Sequence, residues 1–193
     1  MGLIALAAAG SVDEEGATCA AACLQSALGV QTRRLDAFPE LANAYDPARK
    51  QYSSTLVLRD ALARRPSDAY KLLVLTERDL FIPMLSFVYG QAQLSGPIAV
   101  LSFARLRQEF YGLPANRPLF FIRIGKETLH EIGHTMGLTH CTDRSCTMSL
   151  STNIQQLDEK GTDYCESCAA LLREASGPAL NVAVLARRSG GHK

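Results

Sequence analysis

The stretch HEIGHTMGLTHC, from His130 to Cys141, holds three of the four histidines in a chain of 193 residues. Residues four apart on a helix stand one turn above each other on one face, so a helix here brings the imidazoles of His130 and His134 within reach of one small ion. Glu131 is turned about 100° from His130 and stands beside that ion, not between its ligands. Gly137 follows His134 by three residues and suits the left-handed conformation that ends a helix; the chain then turns back and offers His140. One short segment thus commits the chain to a helix, an abrupt stop and a return. Three neutral imidazoles with a fourth position open are the arrangement of a catalytic zinc, and Glu131 is placed to take a proton from water activated there. Histidines in helices are more often surface or core residues, and the five-residue core of the pattern recurs by chance. The added glycine and third histidine, at fixed spacing from the first two, make coincidence improbable.

The helix extends upstream. RPLFFIRIGKETLHEIGHTMGL has apolar residues at Leu119, Ile122, Leu129, Ile132 and Met136, one buried face of a long helix whose other face carries the histidines. Before it, elements alternate. LIALAAAG is an apolar strand ending at Gly10, EEGATCAAACLQSALG an alanine-rich helix stopped by Gly29, and VQTRRLDAF an alternating strand, a β-α-β opening. A loop marked by Pro39, Asp46 and Pro47 leads to SSTLVLRDALARRP, helical with Leu56, Leu58, Leu62 and Ala63 on its apolar face, and YKLLVLT is a short buried strand. FVYGQAQ and GPIAVLSF are two strands around a turn at Ser95 to Pro97. The expectation is an α/β domain with a mixed, partly parallel twisted sheet. The length suits one domain over 1–193, with 1–137 ending in the histidine helix and 138–193 a small C-terminal part. RRSGGHK is a polar tail.

The cysteines make a second pattern. Cys141 and Cys146, then Cys165 and Cys168 as CESC, are two close pairs that suit a tetrahedral structural zinc. A redox pair would leave Cys141 and Cys146 unexplained. Arg144, Lys160 or Arg173 would offset the negative charge of four thiolates. Cys19 and Cys23, four apart among alanines, read as buried small residues. His140 and Cys141 are adjacent, so if both sites hold metal the thiolate cluster fixes the direction from which His140 approaches.

Charge and hydropathy exclude other roles. Lysine plus arginine, 20, nearly balance aspartate plus glutamate, 19, which gives no field to draw nucleic acid or an acidic membrane. No apolar run approaches the roughly 20 residues of a membrane helix. The opening MGLIALAAAG lacks a basic leader and is followed by Asp13 to Glu15, so it reads as a strand and not an export signal. The expected setting is the reducing cytoplasm, with the chain acting as a monomer.

HEIGHTMGLTHC with TDRSC, TM and the distal CESC, preceded by DLFIPMLSFVYGQAQ and GPIAVLSFARL, resembles the archaemetzincin family of zinc metallopeptidases. The resemblance covers the chain from YSSTLVLR to CESC. It implies a compact metzincin-like α/β fold and two zinc ions, with His130, His134 and His140 as catalytic ligands, Glu131 as general base, and Cys141, Cys146, Cys165 and Cys168 around the structural ion. Met148 resembles the methionine of the turn beneath the catalytic zinc, and equally an ordinary core residue. Some metzincins place a tyrosine ligand two residues later; here that position is Leu150. The implied activity is hydrolysis of peptides or proteins with narrow specificity, aminopeptidase-like in one form. A substrate would lie extended beside Leu85 to Gln93, with loops such as Arg105 to Asn116 shaping its pocket. The alternative is a zinc-binding interaction module with the histidine site closed by a further ligand, for which His192 is one source.

Overall fold

The computed structural model describes residues 2–176. The chain opens with strand β1 (Leu3–Ala9), helix α1 (Glu14–Leu28) and strand β2 (Gln31–Phe38). Strands β3 (Tyr45–Asp46) and β4 (Gln51–Ser53) precede helix α2 (Ser54–Leu62), followed by β5 (Lys71–Thr76), β6 (Leu80–Phe81), β7 (Gly90–Ala92) and β8 (Ile98–Ser102). Helices α3 (Arg117–Thr135), α4 (Ile154–Glu159) and α5 (Glu166–Ser176) complete the described chain. The main sheet has the order β2-β1-β5-β8-β7, parallel throughout except for β7, which runs antiparallel to β8 at the edge. The sheet is therefore mixed and partly parallel, as the alternation of elements implies. The loop read after β2 holds more structure than its turn residues suggest: β3, β4 and β6 form a second, three-stranded sheet. Strands of two or three residues are too short to show an alternating pattern.

The period of two along each strand sorts side chains between two cores. Ile4 and Leu6 of β1, Leu73 and Leu75 of β5, and Leu101 of β8 face α1 and α3. The intervening Ala5, Ala7, Leu72, Val74 and Val100 face α2. Leu24, Leu28 and Ile124 are fully buried between the helices and the sheet, each worth about 1.5–3 kcal/mol. Three side chains assigned to apolar faces lie outside: Ile122 and Leu62 are 45% and 47% exposed, and Ala63, the cap residue after α2, is exposed as well. On α3 the inward apolar positions of the first turns are Phe120 and Ile124, four apart, while Leu129 and Ile132 are buried as expected. Among the described residues no helix is long and apolar enough to cross a membrane.

Helix ends follow local chemistry. Asn116 caps α3, its Oδ1 accepting from the Leu119 N–H at 3.1 Å. Gly137 has φ +97°, and the Leu138 N–H returns to the Gly133 carbonyl at 3.0 Å, closing α3. The buried Lys71 ammonium donates to the Thr135 and Gly96 carbonyls, and the Ser95 N–H to the His134 carbonyl, so the β7–β8 turn is docked on the end of the histidine helix.

Asp13 caps α1 through the Gly16 N–H at 2.8 Å and also receives Arg117 and Arg107. The Arg117 guanidinium holds the Asp13 carboxyl well below its ordinary 3.8, against the opposing effect of burial, with Gly16 and Arg107 assisting. Asp13→Ala is expected to cost about 1–2 kcal/mol at neutral pH, mostly from the lost cap, since the partly exposed ion pairs are screened. A carboxyl depressed on folding stabilises above its ordinary value and stops doing so as pH falls through the folded one. Thermal unfolding of the wild type and Asp13→Ala should therefore show a gap that is constant above about pH 4 and narrows in more acid solution.

Candidate metal centres

Successive turns of α3 bring His130, Glu131 and His134 to one side, and the return after Gly137 adds His140. The ligand atoms of the three histidines lie within 4.8 Å of one another, His130 buried, His134 half-buried and His140 exposed. His130 Nδ1 meets the Thr147 carbonyl at 2.9 Å and His134 Nδ1 the Leu138 carbonyl at 2.7 Å. A carbonyl only accepts, so each Nδ1 carries the hydrogen. Burial pushes the His130 imidazole down to about 3, and also lowers His134 and His140, so these rings are neutral. The Nε2 atoms of His130 and His134 are therefore bare lone pairs, and they face each other at 3.1 Å. Two lone pairs do not bond to each other; a cation that both face satisfies them. The donor set fits zinc, which takes neutral imidazoles whose other nitrogen is held by a backbone carbonyl.

Glu131 is buried beside this cluster. Its Oε1 lies 2.6 Å from where a Cβ on Gly90 would stand, so the bare backbone of β7 gives the carboxylate its berth. Burial, with the nearby charge of Glu127, raises the Glu131 carboxyl well above its ordinary value. Met148 is fully buried against Gly133, where an added Cβ would meet its sulfur at 2.5 Å. Both the supporting turn and the core role fit that place.

The second cluster is equally compact. The sulfurs of Cys141, Cys146, Cys165 and Cys168 lie within 4.8 Å of one another, and the Cys141 to Cys165 separation of 3.8 Å is far from a disulfide bond. The N–H groups of Met148 and Cys165 donate to Cys146 Sγ at 3.4 and 3.3 Å. Burial pushes Cys146 up to about 11 and Cys168 higher still, while hydrogen bonds lower Cys165 in spite of burial. Four crowded thiols of this kind ionise together only beside a cation, which is the behaviour of a metal-binding set. Cys19 and Cys23 stand apart; their thiols donate to the Phe121 and Gly125 carbonyls of α3 at 3.6 Å.

A groove of about 490 Å³ runs past the histidines, walled by Leu85, Phe87, Leu94 and Leu150 and lined by β7. Leu150 thus forms part of the wall, where some metzincins have a tyrosine. The loop from Arg105 to Asn116, read above as a pocket wall, is not among its lining residues. Arg105 is drawn away into an ion pair with Asp79 at 2.6 Å and lies over the Phe87 and Phe110 rings. Lys160 is also not a counter-charge for the thiols: its Nζ donates to Glu127 Oε1 at 2.6 Å, and the pair lines the groove. Glu127 sits one turn before Glu131, a spacing visible in the sequence. Its partner, and the carbonyls of Thr147 and Leu138 that orient two histidines, have no sequence signature. His192 lies outside the described residues.

The sequence model of Peptidase family M54 matches residues 52–174. The archaemetzincin of Methanocaldococcus jannaschii is 44% identical over 131 residues, covering 68% of this chain and 71% of that protein. The crystal structure of the Methanopyrus kandleri archaemetzincin superposes with a TM-score of 0.77 at 33% identity, over 90% of this chain and 94% of that one. A zinc-dependent peptidase of Methanocorpusculum labreanum superposes with a TM-score of 0.76 at 32% identity, over 88% and 99%. The similarity takes in both clusters and the sheet beside them, and on it the chain belongs to peptidase family M54, the archaemetzincins, and is a zinc metallopeptidase.

Proposed function

We propose that the chain holds two zinc ions, one on His130, His134 and His140 for catalysis and one on Cys141, Cys146, Cys165 and Cys168 for structure, and that Glu131 is the general base of peptide hydrolysis. The observation that carries this reading is the pair of bare Nε2 atoms facing each other at 3.1 Å with His140 closing the set on the groove side. Zinc there supplies Lewis acidity, polarising a carbonyl and making water a stronger acid at neutral pH. The Glu131 carboxylate takes a proton from the attacking water and returns it to the departing amine nitrogen. Its place against Gly90 of β7, on the groove that the histidines also line, supports that role. A substrate pairs in extended form with β7, the end strand of the main sheet, and the apolar walls exclude water from the reacting groups.

The same reading takes the specificity as narrow, with aminopeptidase-like action as one form of it. Matched peptides with free and acetylated N-termini test it, since an aminopeptidase loses the acetylated one. The unbridged cysteines support action in a reducing compartment. The test of the metal assignment is zinc content after purification without added metal. About two ions per chain in the wild type, falling to about one in His134→Ala, are expected; an unchanged count in the variant would remove the histidine site from the proposal.

A further inference from the structure

We infer that the cysteine and histidine clusters form one coupled unit, in which metal held by the four cysteines sets the metal affinity of the three histidines. This rests on the proposed reading that both clusters bind metal, and adds that neither does so independently.

The coupling has three arms, each beginning at a cysteine and ending on the histidine site or its helix. The first is the chain itself: Cys141 directly follows His140, and its N–H donates to the Met148 carbonyl at 2.9 Å. The second passes through Thr147, next to Cys146. The Thr147 carbonyl receives the His130 Nδ1 hydrogen at 2.9 Å, its Oγ1 donates to the Lys126 carbonyl at 3.0 Å, and its N–H donates to the Asp163 carbonyl at 2.9 Å. Thr147 is fully buried, so this peptide has one position while those bonds last. The third is Tyr164, next to Cys165, whose hydroxyl donates to the Leu129 carbonyl at 2.6 Å, one residue before His130. Cys146 Sγ accepts from the Cys165 N–H at 3.3 Å, tying the second arm to the third.

Thr147 is thus a positioning residue for His130, and the four thiols hold three chain segments together at the points from which these arms leave. Without a cation the crowded thiols have little to keep the segments together, and the arms lose their common anchor. An ion at the histidines in turn fixes the arms and favours the closed thiol cluster. Equilibrium coupling of this kind is reciprocal: each site changes the affinity of the other by one common factor.

The experiment is metal titration of the full chain in both directions. Cobalt(II) is titrated into the histidine site of the wild type and of Cys168→Ser, each holding zinc at the cysteine site only, after the histidine-site zinc has been withdrawn, followed by its visible absorption, with circular dichroism to establish folding. Removal of outer supports typically costs 10–100-fold in metal affinity, so a loss of about tenfold or more is expected, with an altered cobalt spectrum. If Cys168→Ser does not fold, the reverse direction carries the test. A chromogenic chelator competes for zinc at the cysteine site of the fully loaded wild type and of His134→Ala, in which the cysteine site should bind more weakly by the same factor. Thr147→Val, which loses the bond to Lys126, should weaken cobalt binding at the histidines, and Thr147→Ser should restore it. Unchanged cysteine-site affinity in His134→Ala overturns the coupling while leaving two separate sites. A wild type that takes up no cobalt at the histidines overturns the coupling and the metal reading together.

Discussion

Glu131→Gln is expected to lower kcat/KM for a peptide substrate by about 10²- to 10⁴-fold, the range a positioned acid–base group contributes. Zinc content and thermal stability should stay close to wild type. Glutamine has the size and shape of glutamate, so it fills the berth against Gly90 without a new contact. Glu131 is outside the histidine ligand set, so its replacement removes no metal ligand. What glutamine lacks is the ability to take a proton from water. The measurements are steady-state hydrolysis and metal analysis on the same preparations. A rate within a few-fold of wild type, with zinc retained, would move the base role to another group. Loss of zinc along with rate would show instead that Glu131 holds the site together.

Much of the candidate site is legible because it is local. His130 and His134 are four apart on a helix, Gly137 ends that helix with a positive φ, and His140 follows within one turn of chain, so spacing alone constrains their meeting. The two cysteine pairs are farther apart in sequence, but the chemistry of four thiols suggests their convergence. The β-α-β opening is legible because a buried parallel sheet and a capped helix leave different periods. The rest depends on tertiary placement. Nothing about Lys160 in sequence distinguishes it from a surface lysine, yet it is buried against Glu127, 33 residues upstream. The orienting contacts of His130 and His134 are backbone carbonyls, which every residue has, so no residue type marks them. Ile122 and Leu62 illustrate the opposite error, since an apolar side chain at helical spacing is not thereby inside.

The second large effect concerns that lysine. Lys160→Met is expected to destabilise the fold by about 3–5 kcal/mol at neutral pH, the usual cost of leaving one partner of a buried ion pair alone. The Lys160 and Glu127 side chains are 1% and 4% exposed, and their bond of 2.6 Å lies in a place water does not reach freely. Burial acts to raise the Glu127 carboxyl, but the Lys160 ammonium, with His130 and His134, outweighs it and brings Glu127 below its ordinary 4.5. In the wild type this carboxyl therefore stabilises the fold above that value and ceases to as pH falls through the folded one. Without Lys160 burial is opposed only by the neighbouring His130 and His134, so the folded carboxyl moves up and the variant gains less stability than the wild type as pH rises. The two curves of stability against pH should then converge in acid and separate toward neutrality. The double variant Glu127→Gln, Lys160→Met should recover most of the loss, because it removes the buried charge together with its partner. Denaturant unfolding across pH on the three proteins reads this directly. A gap that does not depend on pH would mean that the lysine stem is needed for packing and its charge is not. Full stability without zinc binding at the histidines would instead place the pair's role in holding this wall of the groove, where it lies beside His130 and Glu131.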